Sequence, residues 1–185
     1  WGGGRRGRAP RDDGAAWVSG TSNLADLLDF IIQKATRLVG AERGFVVLVG
    51  PTGTDGVAAS GRPGLREVSA DESAFSTSLV ARVIRDVEPV LTTNIQEDGR
   101  YELSQSIITQ QIRSVLAVPL SARGETIGAI YVDTRLSERL FTDADLRLLQ
   151  AMATQAAMAI RNARLYQEAQ ASNCLLYTSP SPRDS

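Results

Sequence analysis

Residues 113–134 read RSVLAVPLSARGETIGAIYVDT, and this stretch decides the fold. Two β-rich runs, Arg113–Leu120 and Thr126–Thr134, flank the short segment Ser121-Ala122-Arg123-Gly124-Glu125. Branched and aromatic residues on either side of a glycine-containing loop predict an antiparallel hairpin. Pro119 has no N–H for a ladder, so it belongs at a strand end or at an unpaired edge position.

The elements on either side of the hairpin extend this pattern. Leu24, Leu27, Leu28, Ile31, Ala35 and Leu38 recur at helical spacing and predict a helix over 23–39. Ser22 or Asn23 can cap its start, and Gly40 stands where a terminating glycine is expected. The run Gly44–Val49, closed by Gly50-Pro51-Thr52-Gly53, predicts a central strand and a turn. A weaker strand follows at Val57–Ser60. Ser76–Val87 predicts a helix stopped by Pro89, and Val90–Thr93 a short strand. Residues 94–112 are polar, with a candidate helix near Leu103–Gln110. After the hairpin, Thr142-Asp143-Ala144-Asp145 forms an acidic variant of the capping box, opening a helix that runs to about Ala171. Helices and strands in this order predict an α+β domain, an antiparallel sheet with helices packed on one side and a long C-terminal helix.

Composition narrows the function. The chain has 185 residues, 43% of them hydrophobic, enough for one domain with a real core. Twenty basic and 21 acidic residues give a net charge of −1, which argues against a nucleic-acid partner. Apolar runs are strand-length, short of the ~20 residues of a membrane span. Histidine is absent, which removes the commonest general base and metal ligand. No phosphate loop, zinc motif or nucleophile–histidine pair is present. Glu97, Asp98 and Glu102 cluster in the polar segment, where a solvated loop explains them better than acid–base work. The balance favours a binding or signalling module over an enzyme, without a metal and in the cytoplasm.

The last helix carries positive evidence. Leu146, Leu149, Ala153, Ala156, Ile160 and Ala163 alternate in steps of three and four, the spacing of a coiled-coil seam. Leu148, Met152, Ala159 and Tyr166 form a second stripe nearby. Two stripes suggest one face on the sheet and one on a partner helix, and Leu146, Leu149, Ala153, Ala156, Ile160 and Ala163 are expected to form the dimer and relay face. Packing of the whole helix on its own domain is the competing reading.

Four segments, GAERGFVVL (40–48), IRSVLAVPL (112–120), GETIGAIYVDT (124–134) and LFTDADLRLLQAMATQAAMAIRNARLY (140–166), closely resemble a bacterial GAF domain over about residues 22–170. The resemblance implies a six-stranded antiparallel sheet with a pocket between it and the segment Asn94–Ile112. It also implies a parallel homodimer through the first and last helices. The implied function is a cytosolic small-molecule sensor regulating an attached kinase, cyclase, phosphatase or transcriptional activator. The alternative is a ligand-free dimerisation scaffold. Candidate ligand-binding residues are Thr93, Arg100, Tyr101, Ser106 and Asp133, although an ordinary surface role competes for the loop residues. Bilin-binding relatives attach the chromophore through cysteine and haem-binding ones use histidine. Neither residue type occurs in the domain, so no cofactor of either kind is expected. A cyclic nucleotide or other small metabolite stays open. Phe141 and Asp145 match part of the nucleotide-binding pattern, but Leu146 replaces its Glu and Arg135 stands only loosely for its Lys. Helix-start packing with a carboxylate at the dipole explains that pair better.

The domain is expected over 22–171. Residues 1–21, rich in Gly and Arg, are read as a linker or truncated upstream end, and Trp1 in place of Met suggests a fragment. Residues 172–185 are read as a non-native tail, since 174–184 (CLLYTSPSPRD) fit a translated sequencing-library adapter. The expected output domain would follow the last helix and is not among these residues.

Overall fold

The computed structural model describes residues 24–50, 53–60, 66–67, 77–95, 99, 111–135 and 140–178, with backbone alone for 53–60, 66–67 and 172–178. Helix α1 (Leu24–Val39) comes first, followed by strands β1 (Arg43–Gly50), β2 (Gly53–Ser60) and β3 (Arg66–Glu67). Helix α2 (Thr77–Asp86) and strand β4 (Val90–Thr92) precede the hairpin of β5 (Ser114–Ala122) and β6 (Glu125–Thr134). Helix α3 (Asp143–Thr178) closes the order. The expected caps at Ser22 and Asn23 and the candidate helix at 103–110 lie outside the described residues.

The six strands form one antiparallel sheet in the order β3-β2-β1-β6-β5-β4. The hairpin is tighter than its sequence suggests. Ser121 pairs with Thr126 and Ala122 with Glu125, leaving a two-residue turn. Arg123 (φ 54°) and Gly124 (φ 78°) both adopt the left-handed region, as a turn matched to strand twist requires. Pairing shifts by one between Leu120–Gly128 and Ser121–Thr126, so Ile127 is an extra residue on β6. Pro119 stands opposite Ala129 on β6, and β4 pairs with β5 only from Val115 to Ala117. The proline therefore sits beyond the stretch of β5 that β4 covers, as its missing N–H demands.

Side chains alternate between two buried layers. Val46, Leu48, Leu116, Val118, Leu120, Ile130 and Val132 pack against α1 and α3. Phe45, Val47, Val115, Ala117, Ala129 and Tyr131 pack against Leu79, Val80 and Val83 of α2. The two long helices lie together on one side, as expected, while ten-residue α2 covers part of the other. Helix α1 ends as its glycine predicts: Gly40 takes φ 65° and Ala41 N–H donates to Thr36 O at 2.9 Å, a Schellman closure. The capping box of α3 also forms. Thr142 N–H donates to Asp145 Oδ2 at 2.9 Å, and Asp145 N–H donates to Thr142 Oγ1 at 3.3 Å. Phe141, 1% exposed, anchors this corner, and its N–H donates to the buried Ser114 hydroxyl.

Candidate functional site

Two places stand apart from ordinary packing. The first lies on the α2 side of the sheet. Arg43 and Asp133 are register partners on β1 and β6. Arg43 Nε donates to Asp133 Oδ1 at 2.9 Å, and Nη2 donates to Oδ2. Such a two-pronged contact fixes geometry as well as charge. The Asp133 side chain is 0% exposed and that of Arg43 14%. Two residues along, Phe45 and Tyr131 also face each other, their ring centroids 5.9 Å apart and tilted by 56°. The Arg43 guanidinium lies 5.4 Å from the Phe45 ring centroid. An ion pair, a cation–aromatic contact and an aromatic pair thus run continuously along two strands.

Burial pushes the Asp133 carboxyl above its ordinary range, and its bonds to Arg43 pull it back only in part. Burial first, and the neighbouring Asp133 charge second, push the Tyr131 phenol well above its usual value. Ile95 and Ile112, both 0% exposed, belong to the same layer. Ile95 N–H donates to Arg113 O at 3.0 Å, so the two ends of the 94–112 segment are tied over this face. Of the expected ligand residues, Asp133 lies in the cluster and Thr93 is exposed nearby. Arg100, Tyr101 and Ser106 lie outside the described residues. Arg43 was not among the expected residues. Its signal was a charged side chain opening a strongly apolar strand, with an acid in a second one.

The second place is the outer surface of α1 and α3. The residues expected on the dimer and relay face pack instead within their own domain: Leu149, Ala153, Ala156 and Ile160 are buried against the sheet and α1, with Leu146 and Ala163 at their margin. The other stripe is rotated from this one by roughly 110° around the helix, at about 100° per residue. It carries Leu148 and Tyr166, 47% and 53% exposed. Beside it, Phe30, Lys34, Leu38, Met152, Ala156 and Ala159 line a groove of about 370 Å³ between the two helices. Among the described residues no cluster of His, Cys, Asp or Glu could hold a metal, and no helix is long and apolar enough to cross a membrane.

Comparison with known proteins places this arrangement. The family model for the GAF domain matches residues 21–161. The hybrid signal transduction histidine kinase G of Dictyostelium discoideum is 26% identical over 89 residues, 48% of this chain and 3% of that protein. The chain therefore spans a small part of the curated relative it matches. Among solved structures, a methyl-accepting chemotaxis protein fragment aligns with TM-score 0.61 and 16% identity, over 82% of this chain and 95% of that one. The cyanobacteriochrome TePixJ GAF domain aligns with TM-score 0.60 and 12% identity, over 80% and 95% respectively. This last likeness corrects one expectation. The exclusion of a bilin rests on the lack of an attachment cysteine. The fold is nevertheless the one that a cyanobacteriochrome uses, so the exclusion does not stand.

Proposed function

Because this chain belongs to the GAF domain family, whose members are sensory and regulatory rather than catalytic, we propose that it is the dimerising regulatory module of a larger signalling protein. It associates through the outward face of α1 and α3 and relays a signal along α3 to an output domain. The carrying observation is the outward stripe of α3. Scattered exposed apolar residues are normal, but a stripe at coiled-coil spacing beside an apolar groove marks an association surface. Leu148, Met152, Gln155, Ala159, Asn162 and Tyr166 step by four and three along it. The inward stripe, Leu146 to Ala163, grips the sheet and so couples α3 to whatever moves there. Light scattering on the wild type should give a dimer. Leu148→Glu/Tyr166→Glu, placed at exposed positions, should give a folded monomer. A wild type that stays monomeric at high concentration sinks this reading.

Sensing of a small molecule on the α2 side of the sheet is favoured by a separate observation. Asp133 is a wholly buried carboxylate, and a buried charge beside an aromatic pair is where perturbed groups gather at binding sites. Calorimetry against a broad panel of metabolites and tetrapyrroles tests it. Uniform absence of heat would leave the dimerisation scaffold as the function.

A further inference from the structure

The point where α3 leaves the domain is fastened in an unusual way. Ile160 is the last fully buried residue among those whose side chains are described on it, and Leu165 and Tyr166 are already half exposed. Between them, Arg161 Nη1 donates to Ala122 O at 3.5 Å. Arg164 Nη2 donates to Val49 O at 3.3 Å. Both arginines are half-buried. The two carbonyls belong to β5 and β1, the strands on either side of β6. Both lie at the Gly128 end of the sheet, since Leu48 and Leu120 are each opposite Gly128. Each also adjoins an irregularity, the β1–β2 register shift at Leu48/Gly50 and the two-residue hairpin turn.

We propose that Arg161 and Arg164 form a two-point clamp through which the sheet sets the direction in which α3 leaves the domain. Both acceptors are backbone carbonyls, so the clamp responds to strand position and not to neighbouring side-chain identity. A change in the spacing of β1 and β5 around β6 displaces one anchor relative to the other and tilts the projecting half of α3. Long guanidinium side chains suit this role because each carries several donors on a planar head and lays its stem along apolar surface. The arginines are positioning residues, and they lie on the flank of α3 turned roughly 150° from the outward stripe. The clamp rests on the proposed relay through α3, but it does not use the proposed dimer surface.

The test uses spin labels on the full chain with Cys174→Ser, diluted with unlabelled protein so that only intramolecular distances are read. One pair is placed by Glu125→Cys and Glu168→Cys, across the clamp. A control pair is placed by Glu125→Cys and Gln150→Cys, before it. In Arg161→Met/Arg164→Met, the 125–168 distances should shift or broaden by about one helical turn, ~5 Å, with the 125–150 distances unchanged. Arg161→Lys/Arg164→Lys should fall between this variant and the wild type. An unchanged 125–168 distribution overturns the clamp. Equal broadening of both pairs also overturns it, because the arginines would then hold the fold in general. Light scattering on the same samples separates the two ideas. A monomer with an altered 125–168 distance removes the dimer reading alone, and a dimer with an unaltered one removes the clamp alone.

Discussion

The two faces of the sheet are buried alike and built differently. The face under α1 and α3 is aliphatic, with Leu, Val, Ile and Ala meeting the same residue types on two long helices. The face under α2 meets, among the described residues, one ten-residue helix, and it carries Phe45, Tyr131, Arg43 and Asp133. The first face gains from non-directional burial, and it tolerates change as long as volume is kept. The second contains a charged pair whose value depends on both partners being present. A sheet built this way separates holding the domain together from presenting chemistry.

Gly128 is the sharpest way to break both faces at once. A Cβ there would stand 2.0 Å from the Val47 carbonyl oxygen, a backbone atom that cannot rotate aside. Gly128→Ala should therefore force β1 and β6 apart and cost about 3 kcal/mol or more. Urea unfolding measures it, and a loss under about 1 kcal/mol would show that the central strands have slack.

Arg43→Met should break one face and spare the other. Removing the cation strands Asp133 as an unpaired buried carboxylate, a change that costs about 3 kcal/mol at neutral pH. Its pH dependence follows from the upward shift of Asp133. A raised folded-state value means that the native state holds the proton more tightly than the unfolded chain does. That contribution is complete below the ordinary carboxylate range and is lost as pH rises through the raised value. Without Arg43 the shift grows. The variant should sit close to wild type in acid and fall progressively below it towards neutral pH. Parallel stability curves for the two proteins would refute this role for the pair. Ile160→Ala, on the aliphatic face, should cost a comparable 2–4 kcal/mol with no such pH dependence.

What was legible in the sequence divides along the same line. The hairpin, the Gly40 closure and the Thr142–Asp145 box are local, and each signal lies within a few residues of its effect. Pairing of Arg43 with Asp133 spans 90 positions, and no local pattern announces which acid will lie opposite which base. The direction of α3 was ambiguous for another reason. Two stripes share the same three–four spacing, so periodicity alone could not say which faces the sheet. Composition could have helped, because the inward stripe is wholly apolar while the outward one includes Gln155 and Asn162. The extra residue at Ile127 was hidden as well. It lies inside a run of good strand formers, and only the partner strand reveals the mismatch.

The smallest expected effect sharpens the contrast, because it should strengthen one face alone. Val87, the residue that follows helix α2, adopts φ 55° and is 48% exposed. A β-branched side chain in the left-handed region is strained by roughly 1–2 kcal/mol, and glycine is the residue that usually fills this place. Val87→Gly removes that strain, gives up little buried surface, and loses roughly 0.5–1 kcal/mol to the freer unfolded chain. The balance is a gain of about 0.5 kcal/mol. Because α2 covers only the face with the ion pair, hydrogen exchange should slow in Thr77–Asp86 before it slows in α1. Equal slowing in both helices would mean that the two faces open together, and that their different construction has no consequence for local stability.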